Sequence, residues 1–249
     1  MSMSLKVMSF NLRVNTPVDL MHAWPYRRDS VFRFLQEMDL DLIGFQEVTP
    51  DMYEELKHVL TQYDYVGLPR DDQGEACPIF YKREKFKVMD FGTFWLTDTP
   101  FVESVIEGSA FKRIASYVIL KTNESQPIAF FNTHLDYLNG DAIFNQAEYV
   151  YRMMQRMYKR YHAKLILTGD FNQHPDSHCI RFLSTALEVC YQDEKDYGLT
   201  FHNYSHRITG QPIDYVFYEG FVVKHFQIIH HQSNEILSDH YPIYVIFDT

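Results

Sequence analysis

Short apolar runs alternate with amphipathic stretches along the whole chain. Residues 5–12 read as a first strand with Asn11 near its end. Pro25 suits the first position of a helix, in which Val31, Phe34, Leu35 and Met38 recur at i, i+3, i+4 and i+7. Residues 42–47 form a second strand ending in Glu47, and Pro50 opens a helix with Leu56, Val59 and Leu60 on its apolar face. Residues 63–68 are extended, and 70–75 are a polar loop. Residues 79–81 and 86–96 read as strands around the charged turn Lys82-Arg83-Glu84-Lys85. Residues 97–110, with Pro100 and Gly108, are expected to form a long surface loop near the ligand side. Two further strands, 114–120 and 128–133, flank a polar turn at Asn123-Glu124-Ser125; the second runs into Asn132-Thr133-His134-Leu135-Asp136. The longest helix, 142–158, places Ala147, Val150, Met154 and Met157 on one side, as core filler rather than a cofactor box. Leu165-Ile166-Leu167 is a buried strand that stops at Gly169-Asp170-Phe171-Asn172, after which Pro175 is expected to open a helix. Residues 213–218 carry Asp214 near their start. Residues 221–229 and 243–247 complete the strands, the last preceded by Ser238-Asp239-His240-Tyr241-Pro242.

No Gly/Ser linker or low-complexity run divides the chain, so residues 1–249 are read as one domain. Many strands with few interposed helices suggest two β-sheets packed face to face with helices outside, an α/β architecture. The 249 residues are 46% hydrophobic and 22% charged, which supports a substantial core and argues against disorder. The net charge of -10 argues against non-specific binding to duplex DNA, which depends on Lys and Arg. Three cysteines, Cys77, Cys179 and Cys190, lack metal-ligand spacing and suggest reduced thiols in the cytoplasm. No apolar run approaches the ~18 residues of a membrane span, and no obligate protein partner is evident.

The candidate chemistry lies at strand ends: Asn11, Glu47, His134, Asp170 with Asn172, Asp214, and Asp239 with His240. Polar residues at the carboxyl ends of strands occupy the usual ligand edge of α/β sheets. Each has a bland alternative. Gly, Asp and Asn are common turn residues, Asn11 can cap a strand exit, and either histidine can be a satisfied core residue. Asp214 in an apolar strand is harder to dismiss, because a buried carboxylate needs a partner and a histidine supplies one. Four carboxylates converging without compensation repel one another, and a hard divalent cation such as Mg²⁺ resolves this. His202 and His206 stand four apart without helical periodicity and are read as accidental. His174, His178 and the pair His230-His231 are expected at the surface or rim.

The motifs Ser9-Phe10-Asn11, Gln46-Glu47, Asn132-Thr133-His134-Leu135, Gly169-Asp170-Phe171-Asn172, Ile213-Asp214-Tyr215 and Ser238-Asp239-His240-Tyr241-Pro242 resemble, in order, those of the endonuclease/exonuclease/phosphatase superfamily. Its members include DNase I, apurinic endonucleases, inositol polyphosphate phosphatases, neutral sphingomyelinases and mRNA deadenylases. The resemblance implies a four-layer, DNase I-like α/β sandwich of two mixed sheets flanked by helices. It also implies phosphoester hydrolysis dependent on Mg²⁺, with Mn²⁺ as an alternative. By the same resemblance, Glu47 binds the metal with Asn11 and Asp239 near it, and Asp170, helped by Asn172, aligns the attacking water. His134 contacts the phosphate, and Asp214 orients His240, which stabilises charge or moves a proton. Some relatives carry a second acid where this chain has Arg13, which puts a second metal in doubt and adds a phosphate contact. The segments around Gly67 to Tyr81 and Gly92 to Thr97 resemble a largely bacterial branch, whose members often have Arg at the position of Ile143; its loss here suggests an altered pocket. Arg113 fits that branch and is a candidate substrate contact, and Arg70 and Glu75 are expected to line the mouth. Tyr137, Trp24 and Trp95 are candidates to stack a base or sugar, with aromatic core as the commoner outcome. A phosphorylated small molecule, a nucleotide or a nucleic-acid end all remain open as the bound partner.

Overall fold

Side chains on successive residues of a strand point to opposite faces, and in β1 (Ser4–Asn11) this alternation sets the layers. Val7 faces one core, while Met8 and Phe10 face another. The computed structural model describes residues 4–122, 126–191, 198–230 and 235–248. The expected turn at Asn123-Glu124-Ser125, and His231, lie outside these residues.

The elements that follow are a 3₁₀ helix (Pro17–His22), α1 (Trp24–Met38), β2 (Leu42–Gln46), α2 (Pro50–Val59), β3 (Tyr63–Val66), β4 (Ile79–Lys82) and β5 (Lys87–Trp95). Then come β6 (Ile114–Lys121), β7 (Ile128–His134), α3 (Gly140–Tyr161), β8 (Lys164–Asp170), α4 (His178–Ala186), β9 (Glu188–Val189), β10 (Asp214–Glu219), β11 (Val222–Ile228) and β12 (Ile243–Asp248). One sheet has the order β11-β12-β1-β2-β4-β3 and the other β5-β6-β7-β8-β10-β9. Each contains a single parallel pair, β1 with β2 and β7 with β8, flanked by antiparallel neighbours. The two sheets therefore repeat one plan. Trp24, Val31 and Leu35 of α1 and Met52 and Leu56 of α2 pack on the outer face of the first sheet. Ile143, Val150 and Met154 of α3 and Leu183 of α4 pack on the second. Helices, sheet, sheet, helices make the four layers of a DNase I-like α/β sandwich.

Three local expectations differ from the structure. The helix expected from Pro175 begins at His178, because the Ser177 side chain caps it by accepting from Ile180 N at 3.3 Å. Pro175 sits in the preceding turn, closed by Ser177 N donating to His174 O at 3.0 Å. A 3₁₀ helix occupies part of the expected loop at residues 17–22, with Thr16 accepting from Val18 N. The short β9 was not expected, since two residues carry no periodicity.

The sheets approach each other closely at Gly44. A Cβ there would stand 2.3 Å from Thr168 Oγ1 and 2.6 Å from Asn132 Oδ1. Gly44→Ala is therefore expected to force the sheets apart and destabilise the protein by about 1–3 kcal/mol, the usual cost of overpacking. Urea unfolding measures this; an unchanged midpoint would contradict the close approach.

Candidate active site

The same alternation delivers polar side chains to one end of the sandwich. Asn11 follows Val7 and Ser9 along one face of β1. His134 follows Phe130 and Asn132 on β7, and Asp170 follows Ile166 and Thr168 on β8. The parallel register of β7 and β8 sets His134 opposite Asp170. The antiparallel register of β8 and β10 sets Asp214 on the other side of Asp170. Gly169 is required for this approach, because a Cβ there would lie 2.5 Å from Thr133 O. One step behind the end, Gln46 Nε2 donates to Asn132 Oδ1 at 2.6 Å and Thr168 Oγ1 donates to the same atom at 3.0 Å. Asn132 Nδ2 donates to Phe45 O and Pro78 O. Gln46 and Asn132 thus cross-link the sheets beneath the site, and their place in the motifs is structural.

Asp170 is the centre of the constellation. Its Oδ2 accepts from Asn11 Nδ2 at 2.9 Å and lies 3.6 Å from His134 Nε2 and 3.7 Å from His240 Nε2. Its Oδ1 accepts from Asn172 N at 2.9 Å. Asn172, in a left-handed conformation (φ 51°), also directs its amide to Leu135 O and His134 Nε2. Glu47 has φ 58°, an uncommon conformation for this residue, and its carboxylate accepts from Asn11 Nδ2 at 3.1 Å and Val14 N at 2.9 Å. His240 Nδ1 bonds Asp214 Oδ2 at 2.9 Å. Asp239 lies beside Arg13, 3.7 Å from its Nε.

Burial, together with the charge of Asp214, pushes Asp170 up to about 7. Burial also raises Asp239. Burial and the nearby Arg113 guanidinium hold His134 well below its usual value, so it is neutral. For His240 burial acts downward, but the charge and hydrogen bond of Asp214, with Asp170 and Asp239 beyond, outweigh it and hold the ring at about 10. The two histidines thus differ in charge at neutral pH: His134 is an imidazole and His240 an imidazolium.

A cavity of about 430 Å³ opens above these groups. Arg13, Glu47, Arg70, Glu75, Arg113, His134, Tyr137, Asp170, Asn172, Asp239 and His240 all line it. Of the residues proposed from sequence, Asn11 and Asp214 are buried behind this wall, joined to it through Asp170 and His240. At the rim Arg70 pairs with Glu75 at 3.1 Å, and its guanidinium lies 4.5 Å from the Phe111 ring centre. Arg113 lies 5.5 Å from the same ring and 3.6 Å from buried Asp136. Asp136 Oδ2 accepts from Ser109 Oγ, Ala110 N and Phe111 N, which brings the end of the long loop to the mouth. Val14, Phe111, Phe201 and Asn203 line the cavity without having been anticipated, and Ile213, quoted only as the neighbour of Asp214, does too; single residues in loops carry no sequence signal. Trp24 is core, with Nε1 bonded to Glu55, and Trp95 Nε1 bonds Arg70 O behind the rim. Tyr137 alone of the three stacking candidates reaches the cavity. His202 is buried against Tyr241 while His206 is exposed. His174 and His178 are exposed, and His230 is half-buried.

Among the described residues, two groups offer ligand atoms within 4.8 Å of one another: Glu47 with His134 and Asp170, and Asp170 with Asp214 and His240. The second is already joined by the His240–Asp214 hydrogen bond. The first offers two carboxylates of the kind a hard divalent cation takes, beside an imidazole whose Nδ1 has no hydrogen-bond partner among the described residues. Asn11 and Asp239, the other residues proposed from sequence near the metal, lie beside this group: Asn11 Nδ2 donates to both Glu47 and Asp170, and Asp239 and Glu47 stand 3.7 and 3.8 Å from the Arg13 guanidinium.

Residues 8–240 match the profile of the Endonuclease/Exonuclease/phosphatase family. The chain belongs to this family. Endonuclease/exonuclease/phosphatase members are hydrolases of phosphoester bonds and are generally dependent on divalent metal. A mannosyl-6-phosphatase of Bacteroides thetaiotaomicron superposes with a TM-score of 0.91 at 30% identity, covering 98% of this chain and 100% of that one. A family protein from Bacteroides vulgatus superposes with a TM-score of 0.91 at 27% identity, covering 99% of both chains. The CCR4-Not complex 3'-5'-exoribonuclease subunit Ccr4 of Kluyveromyces lactis is 24% identical over 225 residues, 75% of this chain but 28% of its own length. The chain spans 38% of a second such relative, the carbon catabolite repressor protein 4 homolog 3 of Arabidopsis thaliana, so it covers well under half of both. The bacterial branch expected from sequence accords with the Bacteroides relatives. All three cysteines are free and buried, and no helix among the described residues is long and apolar enough to cross a membrane.

Proposed function

We propose that the chain is a divalent-cation-dependent phosphoesterase that hydrolyses a phosphomonoester of a small polar alcohol by direct attack of water. The observation that carries this reading is the placement of Asp170 between His134 and His240 on the floor of one cavity, with Glu47 beside it. Glu47, with Asn11 and Asp239 near it, would hold Mg²⁺ or Mn²⁺, which would supply positive charge for the developing phosphate and leaving oxygens. Asp170, fixed by Asn11 and by Asn172 N, takes the proton of the attacking water once ionised. His240, kept protonated by Asp214, stabilises negative charge on the phosphoryl oxygens. Of the two His240 roles left open by the sequence, a ring held at about 10 supports charge stabilisation over proton shuttling at neutral pH. Arg13 and Arg113 contribute positive charge around the phosphate.

The size of the cavity and the absence of a net basic charge favour a small molecule over a duplex. The Arg70–Glu75 pair next to Phe111 and Tyr137 offers both hydrogen bonds and an aromatic wall, which suits a sugar phosphate. The phosphatase relative of equal length points the same way. A second reading, exonuclease action on a nucleic-acid end, draws on Phe111, Tyr137 and Phe201 as stacking surfaces. A catalytically silent phosphate-binding protein of the same fold is the third.

Hydrolysis is to be assayed as phosphate released from a hexose 6-phosphate and p-nitrophenyl phosphate, p-nitrophenolate released from bis-p-nitrophenyl phosphate, and mononucleotide released from a short adenylate oligonucleotide, with Mg²⁺, Mn²⁺ or EDTA. Metal-dependent turnover that is faster on the monoesters is expected. Preference for the oligonucleotide would replace this reading with the exonuclease. Turnover undiminished by EDTA would remove the cation, and no turnover on the panel would leave the binder.

A further inference from the structure

Helix α3 lies along β5 and the loop that follows it (residues 96–113), and the seam between them is fastened at both ends. Near the start of the helix, Gln146 Nε2 donates to Ser109 Oγ at 3.0 Å. At its other end the Tyr161 hydroxyl donates to Asp90 Oδ2 at 2.7 Å, with the Arg160 guanidinium 3.6 Å from the same oxygen. From Gln146 to Tyr161 is about 22 Å of helix. Between these fastenings the seam opens into a cavity of about 200 Å³. It shares no lining residue with the catalytic cavity.

The floor of this second cavity is apolar, with Phe94 and Met153 both buried. Its loop wall is held in place: Trp95 N donates to Pro100 O at 2.9 Å, and Thr99 N donates to Thr97 Oγ1 at 3.1 Å. That wall contributes Asp98, and the helix wall contributes Arg152 and, one turn on, Arg156. Arg152 is already paired with Glu148, 3.2 Å away on the same helix. Among the described residues, Arg156 and Asp98 form no ion pair or side-chain hydrogen bond, with each other or with a third group. Two exposed charges alone would mark only a solvated face. Here a concavity with a buried apolar floor separates them.

The unpaired charges are one of each sign, on opposite walls. A simple anion paired with Arg156 would stand near the Asp98 carboxylate, and a simple cation on Asp98 would stand near the guanidinium. A molecule that carries both signs satisfies both walls, and the guanidinium fork matches a carboxylate in particular. The cavity is smaller than the roughly 300–1,000 Å³ of sites for drug-sized ligands, so its occupant is small.

We propose that this cavity is a second binding site, for a small zwitterion of the α-amino-acid type with an apolar side chain. The carboxylate lies on Arg156, the ammonium on Asp98 and the side chain on Phe94 and Met153. The full chain is to be titrated calorimetrically with L-leucine, L-methionine and L-phenylalanine. Saturable binding of at least one of them, one per chain, is expected below about 10 mM. The tightest binder is then compared with its amide, which lacks the carboxylate, and with its deaminated acid, which lacks the ammonium. Each analogue is expected to bind more weakly by roughly tenfold or more, as is the parent amino acid to Arg156→Gln and to Asp98→Asn. Binding is read without turnover, so the outcome is independent of the phosphoesterase reading. No binding of any of the three amino acids to the wild type overturns the inference. Equal binding of either analogue overturns the zwitterion, and undiminished binding to both variants, with melting curves intact, overturns the place.

Discussion

Asp170→Asn is expected to lower kcat by roughly 10²–10⁴, the range for losing a positioned general base, while leaving the fold intact. The amide keeps the shape of the carboxylate but cannot take a proton from water. Steady-state assays with Mg²⁺ measure the loss, and a variant that retains wild-type kcat would remove Asp170 from the reaction. The same substitution has a second, independent signature. In the folded chain Asp170 is held at about 7, above its ordinary 3.8, by burial and Asp214. A raised carboxyl pKa means that the folded state prefers the protonated form. The associated stability is present in full below 3.8 and is lost as pH rises through about 7; it amounts to at most about 4 kcal/mol. The metal-free protein should therefore melt at a lower temperature at pH 8 than at pH 6. Asp170→Asn should reduce that slope, because an amide does not titrate, and leave the part that His240 contributes. Melting in EDTA at the two pH values separates this from any effect on turnover.

The strand ends were legible because two periodicities coincide. Alternation of side chains places Asn11, His134 and Asp170 on inner faces, and the apolar runs before them show where each strand stops. What alternation does not show is which polar residue reaches the cavity. Gln46 and Asn132 belong to the same motifs as Glu47 and His134, yet they bond each other between the sheets. Only the register of β2 against β7 across the interface makes this distinction. Arg27 is invisible for a different reason: its partners are four main-chain carbonyls from three separate places, and a carbonyl has no residue type to read. The rim was legible where charge marked it, at Arg70, Glu75 and Arg113, and not where Phe111 and Phe201 supply the wall. Pro175 misled because a proline tolerated at a helix start is equally tolerated in the turn before one, and the Ser177 cap decided between them.

Asp214→Asn is expected to move the whole pH window of the enzyme downward. Asp214 does two things at once: it holds the His240 imidazolium at about 10, and its charge helps to raise Asp170 to about 7. In the wild type the active form, with Asp170 ionised and His240 protonated, lies between these values; a bound cation extends the window to lower pH by favouring the ionised carboxylate. Replacing Asp214 by an amide removes the largest of the charges that oppose the desolvation of His240, so the ring falls towards its ordinary ~6.5. Loss of the Asp214 charge also lowers Asp170. At pH 8 the variant then has an ionised base but a neutral ring, and kcat should drop by roughly 10²–10³, as when a charge-stabilising donor is lost. Lowering the pH towards 6 should recover part of the rate in Asp214→Asn and none in His240→Gln, which has no ring to protonate. Stability follows the same sign. His240 is raised above its unfolded value, so its contribution is complete below 6.5 and lost as pH rises through about 10, and Asp214→Asn removes that contribution. An unchanged pH–rate profile in Asp214→Asn would mean that the 2.9 Å contact between Asp214 and His240 orients the ring without setting its charge.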